Sequence, residues 1–577
     1  MAHLGISTSH NATVAVVRDG TVVFCQSEER IARLKNVAGF PAETLEFLFA
    51  NVIDRSAVRS CTFAMRSPNA YRYLAERGFR PHRYEARLNL AQVERWKTHP
   101  SSADIEEWGV APGEPDRTPD ADALRAVSRA IGLDVGRLKP MDHHAAHMYS
   151  VLPFLPADPV ERWLFLTLDG LGDGLCATVS GYADGRFERL AITDDLASLG
   201  MIYWLVTGML GFTMNEHEYK IMGLAPYSRR EHHERLVGWF RELLWVDENG
   251  AWQRSYQTIP ELRYRLREIV FVQRFDAVAG ALQDYTEEMV VRWASHWMHR
   301  TGIGSVACAG GVFMNVKVNQ RLEALPDIER LVVVPSAGDE STAIGAAVHG
   351  SLTSEPNRAI ARAPHVFLGW SFDDAEIRQA IARAMGPRHF TIDRPADINR
   401  AVAQLLADDQ IVARCTGPME FGARALGNRS ILAHPGKAEN LELLNDAIKE
   451  RDFWMPFAPS ILDIDAERYL STSGKADRSA MMVAADVRPE AVVDLASAIH
   501  RRDRTARPQI VSRATNAAYY ELILAFRELT GIGAVLNTSF NLHGEPIVGS
   551  PADAIDTVLR SGLRHLALGS FLLTKKA

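Results

Sequence analysis

Two histidines four residues apart stand in the string DHHAAH. On a helix, His143 and His147 would lie on one face, close enough to bind one metal ion. Two carboxylates can complete the set: Asp169, at the end of a predicted strand, and Asp339, in a loop after another predicted strand. Nitrogen and oxygen donors together suit Fe(II), Mn(II) or Zn(II). The alternative is that the histidine spacing arises by chance and that Asp169 only forms an Asp-Gly turn.

Two glycine-rich turns follow predicted strands, at residues 170–174 and 309–311. Glycine lets the backbone approach a ligand closely and donate its N–H groups to phosphate oxygens. Neither turn would be specific alone. Because the turns lie at sheet ends and are flanked by Asn315 and Asp339, together they favour a nucleotide site.

Basic side chains recur in the C-terminal part of the chain. The string EFGARALGNRS, residues 420–430, follows a predicted buried strand and holds Arg424 among glycines. Arginine presents a planar fork of N–H groups that matches phosphate. Further polar residues follow at Lys449, Arg451, Arg507 and Ser539. Together they predict an anion pocket; the alternative is that each arginine is a solvated surface residue.

One more histidine lies in a loop near the start of the chain. His10 follows the first predicted strand, and Lys35 lies beyond the string SEER. A histidine at a strand end can act as a general base. The alternative is that His10 is only a polar surface residue.

The elements that would carry these residues form a repeated pattern. Three strands with an Asp-Gly turn between the second and third occur twice, at residues 3–9, 11–18 and 21–27 and again at 163–168, 175–182 and 186–192. Asp-Gly favours tight hairpins because both central positions need positive φ. The repeat predicts two related α/β lobes of the actin/hexokinase kind that close over a nucleotide; the alternative is two unrelated hairpins.

Composition excludes several classes of protein. With 577 residues, 47% apolar and 23% charged, the chain is neither disordered nor fibrous and is long enough for several structural units. A net charge of −7 is nearly balanced for a chain of this length and does not indicate a dedicated nucleic-acid binder or a polybasic membrane anchor. Five scattered cysteines without a CxxC pair predict a reducing compartment and no zinc ribbon. Because no apolar run reaches about 18 residues and no leader is evident, we expect a cytoplasmic protein without a membrane span.

A stretch with two prolines, residues 354–364, marks a domain boundary. We predict an N-terminal module of residues 1–358 and a C-terminal module of residues 365–577, long enough to bury its own core. Polar residues 72–132 indicate an insertion or lid. The C-terminal module is predicted to have strands of its own, one of them at Met481–Ala485.

Strings along the whole chain resemble the ATP-dependent O-carbamoyltransferases of antibiotic and nodulation-factor biosynthesis (NodU/CmcH type). The matching strings are GISTSHNA, SEERIARLK, DHHAAH, LTLDGLGDG, EYKIMGLAPY, AGGVFMNVKVN, PSAGDESTAIGAA, EFGARALGNRSILAHP and NTSFNLHGEPIV. They run from residue 4 to residue 552, and the last two are long enough to be highly specific.

The resemblance implies two α/β modules with a divided reaction. The N-terminal module is similar to the tRNA threonylcarbamoyl-transfer protein, a duplicated actin/hexokinase-like fold with a metal. The C-terminal module is similar to YrdC. In such enzymes carbamoyl phosphate and ATP, with Mg, give carbamoyladenylate in the YrdC-like module. The intermediate passes through an internal channel to the other module, where a hydroxyl of a small natural-product acceptor attacks it and AMP leaves.

The resemblance also implies roles in the N-terminal module. The expected metal ligands are His143, His147, Asp169 and Asp339. The metal, expected to be Fe(II) or another divalent ion, would polarise the carbamoyl carbonyl or hold the adenylate phosphate. His10 would be the base for the acceptor hydroxyl, with Lys35 as an electrostatic helper. The residues expected to hold the nucleotide in this module are Gly310, Gly311 and Asn315.

In the C-terminal module the resemblance implies a phosphate site. The residues expected to bind carbamoyl phosphate and the ATP phosphates are Arg424, Lys449, Arg507 and Ser539. Family members often have Arg where this chain has Met455, which removes one phosphate contact or shifts it to Arg451. The usual Lys-His pair after the first Glu-Glu-Arg string is here Lys35-Asn36.

Other functional classes stay open at this stage. A small-molecule kinase or a metal-dependent hydrolase can use the same scaffold, but a kinase would not need a second anion-binding domain. A nucleotide sensor would need neither the metal ligands nor the arginines. No basic stripe supports a tRNA-modifying protein. The expected partners are therefore carbamoyl phosphate, ATP and the acceptor, without nucleic acid or membrane, and a homodimer is compatible with the resemblance.

Overall fold

The computed structural model describes residues 1–66, 121–156, 162–384, 386–437, 439–445, 448 and 452–576. The chain divides into two compact units, one of residues 1–29 and 36–362 and the other of residues 30–35 and 363–577. Most of the predicted insertion, residues 72–120, lies outside the described residues. So do Lys449 and Arg451, whose roles stay predictions.

The second unit includes a short N-terminal segment, Arg30–Lys35, that the expected boundaries assigned to the first module. Nη2 of Arg30 donates to O of Gly422 at 2.7 Å, and Nη1 of Arg33 donates to O of Ile547 at 2.6 Å. Charge-assisted bonds to carbonyl oxygens several hundred residues away therefore hold this segment. Local sequence carries no signal for such long-range contacts.

Two five-stranded sheets form in the described part of the first unit. Their strands are β1 (Ala2–Ser7), β2 (Thr13–Arg18), β3 (Thr21–Ser27), β4 (Val58–Phe63), β5 (Leu138–Pro140), β6 (Arg162–Gly172), β7 (Leu175–Ala183), β8 (Arg186–Asp194), β11 (Ser305–Ala309) and β12 (Arg330–Val333), with a separate hairpin of β9 (Leu244–Val246) and β10 (Trp252–Arg254). The sheet orders are β3-β2-β1-β4-β5 and β8-β7-β6-β11-β12. In each, three strands form an antiparallel meander and two more add in parallel.

Both meanders turn where the sequence predicts. Asp19 and Gly20 have φ of 52° and 80°, and Asp184 and Gly185 have φ of 51° and 75°. Positive φ at both positions is typical of the tight hairpin turns that match strand twist. The repeated strand order confirms the predicted duplicated α/β architecture, and the alternative of two unrelated hairpins is wrong.

Helices flank these sheets. Their bounds are α2 (Ala42–Asn51), α3 (Ala121–Ile131), α4 (His143–Val151), α5 (Leu199–Met209), α6 (Glu218–Leu224), α7 (Arg230–Leu243), α8 (Ile259–Val270), α9 (Phe275–Thr301), α10 (Val316–Glu323) and α11 (Thr342–Ser354). The short helix α1 (Glu29–Ala32) belongs to the second unit from Arg30 onward. Helix α11 touches both β1 and α4 at backbone distance, because a Cβ at Gly5 would overlap O of Ala343 and one at Gly345 would overlap O of Ala146. Glycine at these two positions therefore brings α4 next to the loop that precedes α11.

The second unit is built on an eight-stranded mixed sheet in the described residues. Its strands are β13 (Phe390–Asp393), β14 (Val412–Cys415), β15 (Arg429–Ala433), β16 (Ala458–Leu462), β20 (Gln509–Val511), β21 (Ala534–Ser539), β22 (His565–Leu568) and β23 (Phe571–Lys575), and β17 (Leu470–Ser471), β18 (Ala485–Val487) and β19 (Thr505–Ala506) form a small separate sheet. The large sheet has the order β13-β23-β22-β14-β15-β21-β16-β20. The predicted strand Met481–Ala485 is wrong for its first four residues, since β18 begins at Ala485 and Met481 has φ of 59°.

Two apolar cores cover the two faces of this sheet. The helices of the unit are α12 (Asp374–Arg383), α13 (Gly386–His389), α14 (Ile398–Ala407), α15 (Glu439–Leu444), α16 (Ala466–Tyr469), α17 (Ala517–Thr530) and α18 (Pro551–Leu559). Because side chains alternate along a strand, Ala413 joins the core with Ile555 of α18, and Val412 joins the core with Ile523 of α17. No helix of the described residues is long and apolar enough to cross a membrane.

Candidate functional site

Helix α4 carries the histidine pair, as predicted. Its N-cap, Asp142, accepts a hydrogen bond from N of Ala145 at 2.7 Å. A second carboxylate, Oδ2 of Asp173, accepts from N of His143 at 2.9 Å. Two acceptors at the N-terminus satisfy N–H groups that a helix leaves unpaired. The helix therefore begins at His143 and places His147 one turn later on the same face.

Four side chains meet in a buried group: His143, His147, Asp169 and Asp339. Nε2 of His143 lies 3.1 Å from Nε2 of His147 and 3.2 Å from Oδ2 of Asp169. Oδ1 of Asp339 lies 3.4 Å from both Nε2 atoms. All four donor atoms lie within 4.8 Å of one another. Two ligands on opposite sides of a metal ion, each about 2.1 Å from it, lie about 4.2 Å apart, so the spacing is close to that of a metal site. The group can therefore hold a metal ion.

The remaining atoms of these side chains are held by neighbouring groups. Nδ1 of His143 lies 3.3 Å from O of Ala64, a bond that keeps the Nε2 lone pair directed at the other donors. Oδ1 of Asp169 accepts from N of Gly311 at 2.8 Å. Oδ2 of Asp339 accepts from Oγ of Ser9, while its buried Oδ1 has no hydrogen-bond donor in the described residues. Outer partners of this kind orient metal ligands.

The electrostatics of the group favour added positive charge. Burial lowers the pKa of His143, but Asp339 and Asp169 outweigh burial and raise that pKa well above its ordinary value. Burial likewise lowers the pKa of His147, but the adjacent carboxylates of Asp169 and Asp339 outweigh it and raise that pKa. In return, the histidines hold the pKa of Asp169 and Asp339 below the ordinary range, against the effect of burial. Protons or a metal cation can supply the charge that the two carboxylates attract.

The middle histidine of the string does not join this group. Nδ1 of His144 lies 2.8 Å from Oγ1 of Thr167. Burial, together with His143 and His147, lowers the pKa of His144 to about 3. His144 is therefore a neutral core residue.

His10 lies beside the group, in the loop between β1 and β2. Its Nδ1 is 3.2 Å from Oγ of Ser9 and 3.4 Å from Oδ2 of Asp339. The side chain is 41% exposed, so a ligand can reach its other nitrogen. Lys35, predicted as its helper, belongs to the second unit, and its role stays a prediction.

The predicted nucleotide residues make contacts within the first unit. N of Gly310 donates to O of Ala337 at 3.0 Å, and N of Gly311 donates to Asp169. Oδ1 of Asn315 caps α10, and its Nδ2 donates to Oε1 of Gln283 at 2.9 Å. Their role toward a nucleotide stays a prediction, and Gly311 acts in addition as a support for a candidate metal ligand.

In the second unit, one buried carboxylate shapes the arginine loop. Oε1 of Glu420 accepts from N of Leu426, Asn428 and Arg429, at 2.7, 3.2 and 3.1 Å. Nδ2 of Asn537 also donates to O of Ala425 at 3.0 Å. These bonds fold residues 420–429 into a fixed loop against the sheet.

The two arginines of this loop have different surroundings. Arg429 is fully buried, and its Nη1 donates to O of Thr416 and Gly417 at 2.8 and 3.1 Å, so it organises the backbone. Arg424 is half-buried, as are Arg507 and Ser539. Their role toward phosphates stays a prediction.

Sequence reasoning missed several supporting residues. Ser9 lies next to His10, and Asp173 lies in the same matched string as Asp169. Their positions in these strings could have indicated a supporting role at the site. Glu420 opens the arginine string, but a carboxylate is not expected in a phosphate site. Ala64 contributes only its main-chain oxygen, for which the sequence offers no signal.

Comparison with known proteins follows the same division of the chain. Residues 126–348 match the family model of the carbamoyltransferase N-terminus, and residues 403–575 match that of the carbamoyltransferase C-terminus. The chain is 32% identical to nodulation protein NolNO of Sinorhizobium fredii, over 98% of this chain and 79% of that protein. It is 35% identical to nodulation protein NolO of Bradyrhizobium diazoefficiens, over 76% of this chain and 79% of that protein.

Among solved structures, HypF in its phosphate- and nucleotide-bound form aligns with a TM-score of 0.33 and 13% identity, over 62% of this chain and 47% of that chain. A TM-score this low supports no further comparison. The two matched family models and the identity to the nodulation proteins agree with the resemblance found in the sequence. The chain belongs to the carbamoyltransferase family.

Proposed function

We propose that the protein is an ATP-dependent O-carbamoyltransferase. The second unit would use carbamoyl phosphate and ATP to form carbamoyladenylate, and the first unit would transfer the carbamoyl group to a hydroxyl of a small natural product. The observation that carries the proposal is the convergence of four buried donor atoms beside His10. The family supplies the chemistry, since it implies carbamoyl transfer.

The buried group fits the metal that the proposal requires. Its nitrogen and oxygen donors suit Fe(II) or a similar divalent ion. Oδ1 of Asp339 is buried without a hydrogen-bond donor in the described residues, which is costly unless a cation is present. Such an ion, bound by the four side chains, would polarise the carbamoyl carbonyl as a Lewis acid.

His10 is oriented for removal of the acceptor proton. When Nδ1 carries the proton, it donates to Oγ of Ser9, and Ser9 donates to Asp339. Nε2 then has a free lone pair for the proton of the acceptor hydroxyl. The hydroxyl oxygen forms the new bond to the carbamoyl carbon, and the bond to the phosphate oxygen breaks as AMP leaves.

Activation would take place at the arginine loop of the second unit. Three backbone N–H groups donate to Glu420 and fix this loop, which would present Arg424 to a phosphate. The further residues proposed to bind carbamoyl phosphate and MgATP are Lys449, Arg451, Arg507 and Ser539. Arg451 would supply the contact that Met455 does not. Direct passage of the adenylate between the units would protect a bond that is prone to hydrolysis.

The nucleotide site proposed for the first unit rests on the glycine-rich turns of the sequence and on the resemblance. The amide N–H groups of Gly310 and Gly311 and the side chain of Asn315 already have partners. These residues would therefore contact the AMP part of the intermediate through van der Waals packing, since glycine lets the ligand come close to the backbone.

An assay without acceptor tests the proposal. Protein loaded with Fe(II) is incubated with ATP and MgCl₂, with and without carbamoyl phosphate, and pyrophosphate and ADP are measured. We expect pyrophosphate release that depends on carbamoyl phosphate. ADP in place of pyrophosphate would contradict adenylation and favour a kinase on the same scaffold.

A further inference from the structure

A small, partly enclosed cavity lies in the second unit, between the large sheet and the first turns of α14 and α17. Its volume is about 70 Å³. One water molecule occupies about 30 Å³ in the liquid, so the cavity has room for a small ion. Arg414 of β14, Asn399 of α14 and Thr416 supply its polar lining, and no carboxylate lines it. None of the residues proposed to bind carbamoyl phosphate is part of this lining.

Arg414 is a buried cation that forms no direct ion pair with a carboxylate of the described residues. Only 3% of the residue is exposed. Its Nη1 donates to O of Gly427 and, at 3.2 Å, to Oδ1 of Asn428. In the part of the chain that the structure describes, Nε and Nη2 have no hydrogen-bond acceptor, and Cζ lies 5.5 Å from the centre of the Tyr519 ring. Burial lowers the pKa of Arg414 to about 10, although Tyr519 and Glu420 favour its charged form. A buried charge in this state is costly unless an anion joins it.

Two helix N-termini add positive potential at the same cavity. Asn399 is the second residue of α14, which has 10 residues, and Ala518 is the second residue of α17, which has 14. The first N–H groups of a helix are unpaired within it and attract anions. The exposed N-cap Asp397 accepts from N of Arg400 at 3.0 Å and is not part of the lining.

We propose that this cavity binds a small oxyanion of the size of phosphate. Nε and Nη2 of Arg414 and the N–H groups at the start of α14 and α17 would hold its oxygens. Because Nη1 of the same guanidinium holds Gly427 and Asn428, at the end of the loop that carries Arg424, the bound anion would also stabilise that loop.

The test uses the full chain and inorganic phosphate at constant ionic strength. All proteins carry Arg424→Ala, so that phosphate binding at the loop itself does not contribute. Thermal unfolding and calorimetric titration then measure phosphate binding. We expect a saturable rise in Tm, which is the result of a ligand that binds only the folded state.

A pair of variants locates the site. Asn399→Asp adds a carboxylate beside Arg414. Because Asp is favourable in the first turn of a helix, we expect this variant to fold. The added negative charge should lower the affinity for phosphate at least tenfold. Ala552→Asp adds the same charge at the second, exposed residue of α18 and leaves the affinity unchanged. Sulfate should replace phosphate, whereas acetate should not.

Three results would overturn the proposal. The first is a Tm that does not respond to phosphate in the Arg424→Ala protein. The second is equal phosphate affinity in the Asn399→Asp and Ala552→Asp variants, which would locate the anion elsewhere. The third is stabilisation by acetate without stabilisation by phosphate, which would indicate a carboxylate site.

Discussion

Nε2 of His143 lies 3.1 Å from Nε2 of His147, and a carboxylate oxygen of Asp339 lies 3.4 Å from each. Two imidazole nitrogens at this distance cannot both direct a proton at the other. One proton on either nitrogen, or one metal ion bound by both, satisfies this arrangement. This relationship connects the spacing of two residues on one helix to the proposed chemistry of the first unit.

Removal of one histidine should remove the metal, and removal of its neighbour should not. We expect His147→Ala to lose at least nine-tenths of the bound iron, since the residue supplies one of four donors. His144→Ala is the matched control, because His144 contacts Thr167 and is no ligand. Metal analysis of proteins purified in parallel measures both; equal metal content in the two variants would contradict the assignment.

Metal binding should release protons near neutral pH. Asp339 and Asp169 raise the pKa of His143 and His147, so these imidazoles keep their protons to a higher pH than free histidine does. The metal must displace those protons, and its affinity therefore falls as pH falls. Calorimetric titration of metal-free protein in buffers of different ionisation enthalpy measures the release. No buffer dependence at pH 7 would show that both histidines are already neutral.

Asp173 should act as a positioning residue for the metal centre. Its carboxylate accepts from N of His143 and N of Arg66, and so fixes the first residue of α4. Asp173→Ala should lower the free energy of unfolding by about 1 kcal/mol, as for other lost caps, and weaken metal binding. Asp134→Ala, at an exposed surface ion pair, is the control. Denaturant unfolding and metal titration measure the stability and the metal affinity of the two variants. Equal values for Asp173→Ala and Asp134→Ala would contradict the positioning role of Asp173.

Glu420 should be needed for activation and not for metal binding. Glu420→Ala removes the acceptor of three backbone N–H groups, and we expect pyrophosphate release to fall at least tenfold. Glu420→Gln keeps one carbonyl oxygen at this position and should recover part of the activity. The iron content of both variants should equal that of wild type. An active Glu420→Ala variant would show that the loop does not need this bond network.

The duplicated architecture of the first unit could be predicted because its signals are local. Asp-Gly turns and alternating apolar strands specify each meander within a few residues. The helix of His143 likewise follows from Asp142, a good N-cap, and two alanines. The metal ligands on different elements could be proposed because each lies at a strand end or a helix start.

The rest depends on contacts that no local pattern encodes. The segment Arg30–Lys35 joins the second unit through carbonyl oxygens of Gly422 and Ile547. The two arginines in the string EFGARALGNRS are equivalent by sequence, yet Arg429 is fully buried among carbonyl oxygens and Arg424 is not. Burial and main-chain partners, which decide such differences, follow only from the folded chain.

The measurement that tests the division of labour most directly is the amount of carbamoyladenylate formed without acceptor in two variants. His143→Ala and Arg424→Ala proteins, both prepared in the presence of Fe(II), are quenched after incubation with carbamoyl phosphate and MgATP, and the adenylate is quantified by mass spectrometry. We predict adenylate in His143→Ala at the wild-type level and none in Arg424→Ala. Adenylate in Arg424→Ala with none in His143→Ala would contradict the account, because activation would then depend on the metal centre.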